Sequence, residues 1–134
     1  MPDPRFEPAT PLSETQIEEL ETVLGRQLPQ EYRDFLTQYG GAFVGGSIDG
    51  TEELPILSFF GAEEDKGLLA TLKAYPDLRA DGVLPIARCA LGNIYVLDRN
   101  NAIHYINYYG GKTTAQKVAA SFHNFIARIV VPEE

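Results

Sequence analysis

The chain has 134 residues, 44% apolar and 22% charged, and 19 Asp+Glu against 11 Lys+Arg give it a formal charge of −8. A chain of this length buries roughly two-thirds of the surface it exposes when unfolded, enough for one core and too little for two. Twelve glycines and nine prolines follow no period and the apolar share is too high for a disordered segment, so fibrous and disordered classes drop out.

An acidic balance argues against direct binding of nucleic acid or anionic membranes, because that affinity comes from Lys and Arg displacing counterions. The start, Met1 to Pro8, has no apolar stretch after a basic segment, and no run approaches the ~20 apolar residues of a membrane span. The single cysteine, Cys89, has no internal disulfide partner. These features predict a cytoplasmic protein. The charge is uneven: residues 1–67 hold 14 acidic and 4 basic side chains, a balance of −10, whereas residues 68–134 hold 5 and 7, a balance of +2. Such asymmetry can steer a basic partner, and it also suits solvated helix faces.

In chain order, residues 1–11 read as a loose N-terminal tail and 12–134 as one domain. Leu12-Ser13-Glu14-Thr15-Gln16-Ile17 is a helix start: Ser13 and Gln16 form a capping box, and Leu12 can staple onto Ile17. Ile17, Leu20, Val23 and Leu24 recur at helical spacing before Gly25, which predicts a helix over about 14–24. Pro29 suits the first position of a second helix carrying Tyr32, Phe35, Leu36 and Tyr39 and ending at Gly40-Gly41. A short strand with turns fits Gly40 to Gly50, and another strand fits Leu54 to Phe60, followed by a polar loop through Glu63-Glu64-Asp65. Leu68, Leu69, Leu72 and Tyr75 mark a third helix that stops before Pro76, and Leu84 to Ala87 reads as a strand. Asn93 to Leu97 and Ala102 to Asn107 flank a hairpin turn at Asp98-Arg99-Asn100-Asn101. The stripe Val118, Ala119, Phe122, Phe125, Ile126, Ile129 predicts a last helix near 115–130, with Thr113 or Ser121 as other starting points. About four helices and strands clustered as hairpins make an α+β domain with a mainly antiparallel sheet.

Signals for chemistry are weak. One Cys and two His, with His104 on a predicted strand and His123 on a predicted helix, do not form a zinc or iron pattern, so no metal or cofactor is expected. The glycine-rich run at 40–46 lacks the Gly-Lys-Ser/Thr ending of a phosphate loop and follows a helix where that motif follows a strand. Glu52-Glu53 and Glu63-Glu64-Asp65 could supply paired carboxylates for a small hydrolase, though sequence spacing gives that geometry no support. Cys89, with only Arg88 beside it, reads as a buried inert thiol, and the tyrosines at 95, 105, 108 and 109 read mainly as strand packing. The chain is expected not to be an enzyme.

The run Ser13-x-x-x-Ile17-x-x-Leu20-Glu21, then Gly25-x-x-Leu28-Pro29-x-x-Tyr32-Arg33-x-Phe35-Leu36 and Gly40-Gly41, resembles the opening of the SMI1/KNR4 family, also called the SUKH superfamily. Leu84-Pro85-Ile86, the hairpin through Leu97-Asp98 and Val118-Ala119-x-Ser121-Phe122-x-x-Phe125-Ile126 resemble its later segments. The family often has Asn where this chain has Tyr39, and a late tryptophan that this chain lacks. The matched positions all have core-like spacing, so the resemblance carries a fold and no active site. It implies an α+β domain that acts by binding: an immunity protein that occludes a bacterial polymorphic toxin, often a nuclease, or alternatively a regulatory or scaffold module without a toxin partner. A basic toxin domain suits the acidic half of the chain, and the loop carboxylates Asp49, Glu52, Glu53, Glu63, Glu64 and Asp65 are the expected contact residues.

Overall fold

The structure, a computed structural model, describes residues 5–8, 10–61, 67–108 and 113–131. Helix α1 (Glu14–Leu24) opens with the anticipated capping box: the Gln16 N–H donates to Ser13 Oγ at 3.2 Å and the Ser13 N–H donates to Gln16 Oε1 at 2.8 Å. It ends at Gly25, whose φ of +82° is the left-handed cap that the sequence suggests. Glu21 then turns back to accept the Leu28 N–H at 2.7 Å, which fixes the link to α2 (Gln30–Gln38). Pro29 stands at the cap of α2, one residue before its expected place. Ile17, Leu20 and Leu24 of α1 and Tyr32, Phe35 and Leu36 of α2 form the buried faces.

The strands are β1 (Glu7–Pro8), β2 (Ala42–Ile48), β3 (Pro55–Phe59), β4 (Leu84–Arg88), β5 (Ile94–Leu97), β6 (Ile103–Asn107), β7 (Thr114–Ala119) and β8 (Ile129–Val130). They form one antiparallel sheet in the order β1-β2-β3-β4-β5-β6-β7, with β8 also paired to β2. Two short strands thus share the outer edge of β2, β1 against Ala42 and Phe43 and β8 against Ser47 and Ile48. The approach of β8 requires Gly46, where a Cβ would stand 2.3 Å from the Val130 carbonyl oxygen.

Helices α1 and α2 and the later helix α5 (Phe122–Ala127) supply the main core, together with Phe59, Tyr95, Ile103 and Tyr105 from the sheet. A second cluster, Ile94, Val96 and Ile106, packs with Phe60, Tyr75, Leu78 and Val83. All four residues of β5 are therefore buried. Tyr75 and Leu78 belong to the segment around α3 (Leu68–Ala74) and α4 (Pro76–Ala80). The stop before Pro76 occurs as expected, but Pro76 then occupies the first position of α4, a fifth helix, because its fixed φ and missing N–H suit a helix start.

One expectation needs correction. The helix near 115–130 is a strand, a short helix and a strand: β7 pairs along β6 from Asn107↔Thr114 to Ile103↔Ala119, and α5 begins only after Ser121, whose Oγ accepts the Asn124 N–H at 3.1 Å. Ladder bonding to a distant strand overrides a stripe whose spacing happens to continue across the strand-to-helix junction. Of the three starting points considered for this helix, Ser121 is the cap. Within the tail expected at 1–11, Phe6 is buried, with its ring 5.4–5.8 Å from Phe35, Tyr39 and Phe59, and Arg5 donates to the carbonyl oxygens of Ile126 at 2.8 Å and Ile129 at 2.7 Å.

Candidate functional site

The β2–β3 turn carries three of the six carboxylates expected at an interface. The Ile48 N–H closes it on Leu54 O at 2.9 Å, and Asp49 and Gly50 take φ of +58° and +75°. Asp49 is held by its own partner: its N–H donates to Arg128 O at 2.7 Å, while Arg128 Nε donates to both carboxylate oxygens at 3.1 Å. Those hydrogen bonds hold the Asp49 carboxyl below its usual range. Arg128 also donates to Val118 O, so one side chain ties the turn, the end of α5 and the end of β7 together. Glu52 and Glu53 project from the same turn and are exposed. Glu63, Glu64 and Asp65 lie outside the described residues; Gly61 and Leu68, on either side of them, are joined by the Leu68 N–H to Gly61 O bond at 2.7 Å.

Three of the four cations in residues 1–67 are turned to internal use. Arg5 binds the carbonyl oxygens at the end of α5, and Arg26 donates to Asp98 O at 2.6 Å, to Gly82 O at 3.2 Å and to Asn101 Oδ1. Arg33 stands 3.6 Å from Glu14 and 3.9 Å from Glu21. Glu18, Glu19, Asp34, Glu52 and Glu53 remain exposed, so the first half keeps these carboxylates in solvent.

The two histidines have separate settings. His104 Nε2 lies 2.7 Å from Asp98 Oδ2, and the other oxygen of Asp98 accepts the N–H groups of Asn100 at 2.8 Å and Ala102 at 2.9 Å. Burial pushes the Asp98 carboxyl up, but the hydrogen bonds from Ala102, His104 and Asn100 outweigh it and leave it below the ordinary range. With Asn101 at φ +66°, the set closes the β5–β6 hairpin as its turn residues suggest. His123 is exposed on α5. Among the described residues no group of three or more His, Cys, Asp or Glu is placed to hold a metal. Cys89 is buried beside Tyr105 Oη at 3.5 Å, and Tyr95 and Tyr105 pack in the core; Tyr108 is exposed, and Tyr109 lies outside the described residues.

A groove between α2 and α5 has no counterpart among the sequence motifs. It has a volume of about 190 Å³ and is floored by Phe6, Phe35, Tyr39 and Phe122 and flanked by Glu31 and Asp34. The signal was present in part: once Tyr32, Phe35 and Tyr39 define the inward face of α2, residues 31 and 34 must flank it on one side. Nothing local told that Phe6 and α5 close the other side.

No helix among the described residues is long and apolar enough to cross a membrane. A protein of Bacillus subtilis (strain 168), the SPbeta prophage-derived uncharacterized protein YokK, is 30% identical over 110 residues, covering 64% of this chain and 56% of that protein. The chain thus spans a little over half the length of that relative. The SMI1 / KNR4 family (SUKH-1) profile matches residues 11–128, which takes in both helices of the opening hairpin, the sheet from β2 to β7 and α5. The chain belongs to the SMI1/KNR4 (SUKH-1) family.

Proposed function

We propose that this protein is a cytoplasmic immunity protein that binds a bacterial polymorphic toxin and blocks it by occlusion, without chemistry of its own. Family membership over residues 11–128 carries this reading. The exposed carboxylates of the first half support it: a nuclease toxin must present cations to its substrate, and an acidic inhibitor gains both encounter rate and complementarity from them. The exposed Glu52 and Glu53 of the β2–β3 turn, together with Glu63, Glu64 and Asp65, are the contact residues we assign to that encounter, with Asp49 shaping the turn through Arg128.

Co-expression provides the test. Each toxin domain encoded by the source genome is induced in a sensitive host with and without this protein. Restored growth with one toxin, and inhibition of that toxin by the purified protein, is the expected result. If no toxin is neutralised and the protein instead copurifies with an endogenous enzyme or wall-synthesis factor, the regulatory or scaffold module replaces the immunity reading.

A further inference from the structure

The groove between α2 and α5 has the chemistry of a receptor for one basic side chain. Its volume, about 190 Å³, is below the roughly 300–1,000 Å³ typical of pockets for drug-sized ligands, and it matches the scale of a single long side chain. Four aromatic rings make its floor, with Phe35 and Phe122 centroids 5.3 Å apart and Phe6 5.8 Å from Phe35. Such a floor suits the alkyl stem of Lys or Arg, and ring faces attract the cationic head. Glu31 and Asp34, three residues apart on α2, share one side of the groove. Asp34 Oδ1 accepts from Gln30 Nε2 at 2.7 Å, which leaves its second oxygen for another donor. The Glu31 side chain makes no hydrogen bond or ion pair among the described residues.

The same aromatic cluster already meets one cation: the Arg5 guanidinium carbon is 5.2 Å from the Phe6 ring centroid. Arg5 directs hydrogen bonds to Ile126 and Ile129 and does not line the groove. Among the described lining residues His123, on α5, is the only one able to carry positive charge, against two carboxylates.

We propose that the α2–α5 groove receives an arginine or lysine side chain projecting from the partner protein, with its stem on Phe35 and Phe122 and its charge between Glu31 and Asp34. This deepens the partner-binding function and rests on it for the source of the side chain. It adds a recognition site on α2 and α5 to the carboxylates of the β2–β3 turn, so that the exposed carboxylates guide encounter and the groove anchors the complex.

The test uses the whole protein and the peptide acetyl-Ala-Ala-Arg-Ala-Ala-amide, compared with the same peptide carrying neutral citrulline in place of arginine, followed by two-dimensional NMR. The expected result is saturable shifts at Glu31, Asp34, Phe35 and His123 with the arginine peptide, at least tenfold weaker binding of the citrulline peptide, and a similar loss in the E31Q/D34N double variant. Equal binding of the two peptides, shifts spread over α1 and the 49–53 turn, or no saturable shift at millimolar peptide would overturn the proposal. The citrulline contrast is made on the unaltered protein, so it holds even if the variant folds poorly. If a toxin is neutralised equally by wild type and E31Q/D34N, the groove proposal fails while the immunity reading stands. If wild type neutralises no toxin, that reading fails and the peptide result alone decides the groove.

Discussion

The seams between elements and the outward faces of the helices and turns use charge in opposite ways. At the seams, Arg5, Arg26 and Arg128 direct their donors to carbonyl oxygens and turn side chains, joining separate elements of the fold. Outside, the carboxylates of Glu18, Glu19, Glu52 and Glu53 stand exposed. A guanidinium carries five donors in a rigid fork and is more weakly hydrated than an ammonium, so it suits a half-buried junction, while carboxylates left in water cost nothing to keep charged. The consequence is a division of labour: changes at the seams and core should alter stability, and changes on the outer carboxylates should alter association.

The largest expected effect is in the aromatic core beneath α2. Phe35 packs against Phe6, Tyr39, Phe59 and Phe122, and Phe35→Ala should cost about 3–5 kcal/mol, read by denaturant unfolding. A loss below about 1 kcal/mol would mean that the cluster is not the core it resembles. Arg26→Met keeps the stem but removes the donors to Gly82, Asp98 and Asn101, and should cost about 1–3 kcal/mol with faster amide exchange in the β5–β6 hairpin. Unchanged exchange there would remove Arg26 from the account of that seam.

Tyr32→Phe tests the seam from the other side. The Tyr32 hydroxyl is buried with no hydrogen-bond partner among the described residues, and burial pushes its pKa up, so the phenol stays neutral. Removing it should be neutral or stabilising by about 1 kcal/mol, because a buried unpaired hydroxyl is a cost. Clear destabilisation would reveal a partner for it.

Asp98→Asn sharpens the comparison by pH. The folded carboxyl titrates below the unfolded one, so its contribution is present above the ordinary carboxylate pKa and is lost as pH falls through the lower folded value. The variant should show a shallower loss of stability in acid than wild type; parallel acid limbs would contradict this role. Smallest for stability is the double change Glu52→Lys and Glu53→Lys, expected within about 0.5 kcal/mol of wild type, yet slower in associating with a basic partner and less sensitive to salt. An unchanged association rate would discard the turn as a steering surface.

Legibility in the sequence followed the range of the interactions. The capping box at Ser13, the cap at Gly25, the inward face of α2 and the Asp98–Asn101 turn are written in residues a few places apart, and each is found in the structure. The α+β class followed from the same local signals. By contrast, β7 and β8 exist through ladders to β6 and β2, and the helical stripe at 118–129 gave no hint of either partner. The packing of Phe6 against Phe35 and Phe59 was hidden for the same reason. At the site, the exposed turn carboxylates were legible as charge, but the pairing of Asp49 with Arg128 joins residues 79 apart, and the groove needs Phe6, α2 and α5 together.

Inhibition by occlusion is tested most simply by capture of partners from the native organism at low and moderate salt, followed by an activity assay of the captured protein with and without this one. The expected result is a basic toxin domain that is retained at low salt, weakened by added salt and inactivated on binding. A partner held equally at both salts, or a captured toxin that stays active in the complex, would contradict it.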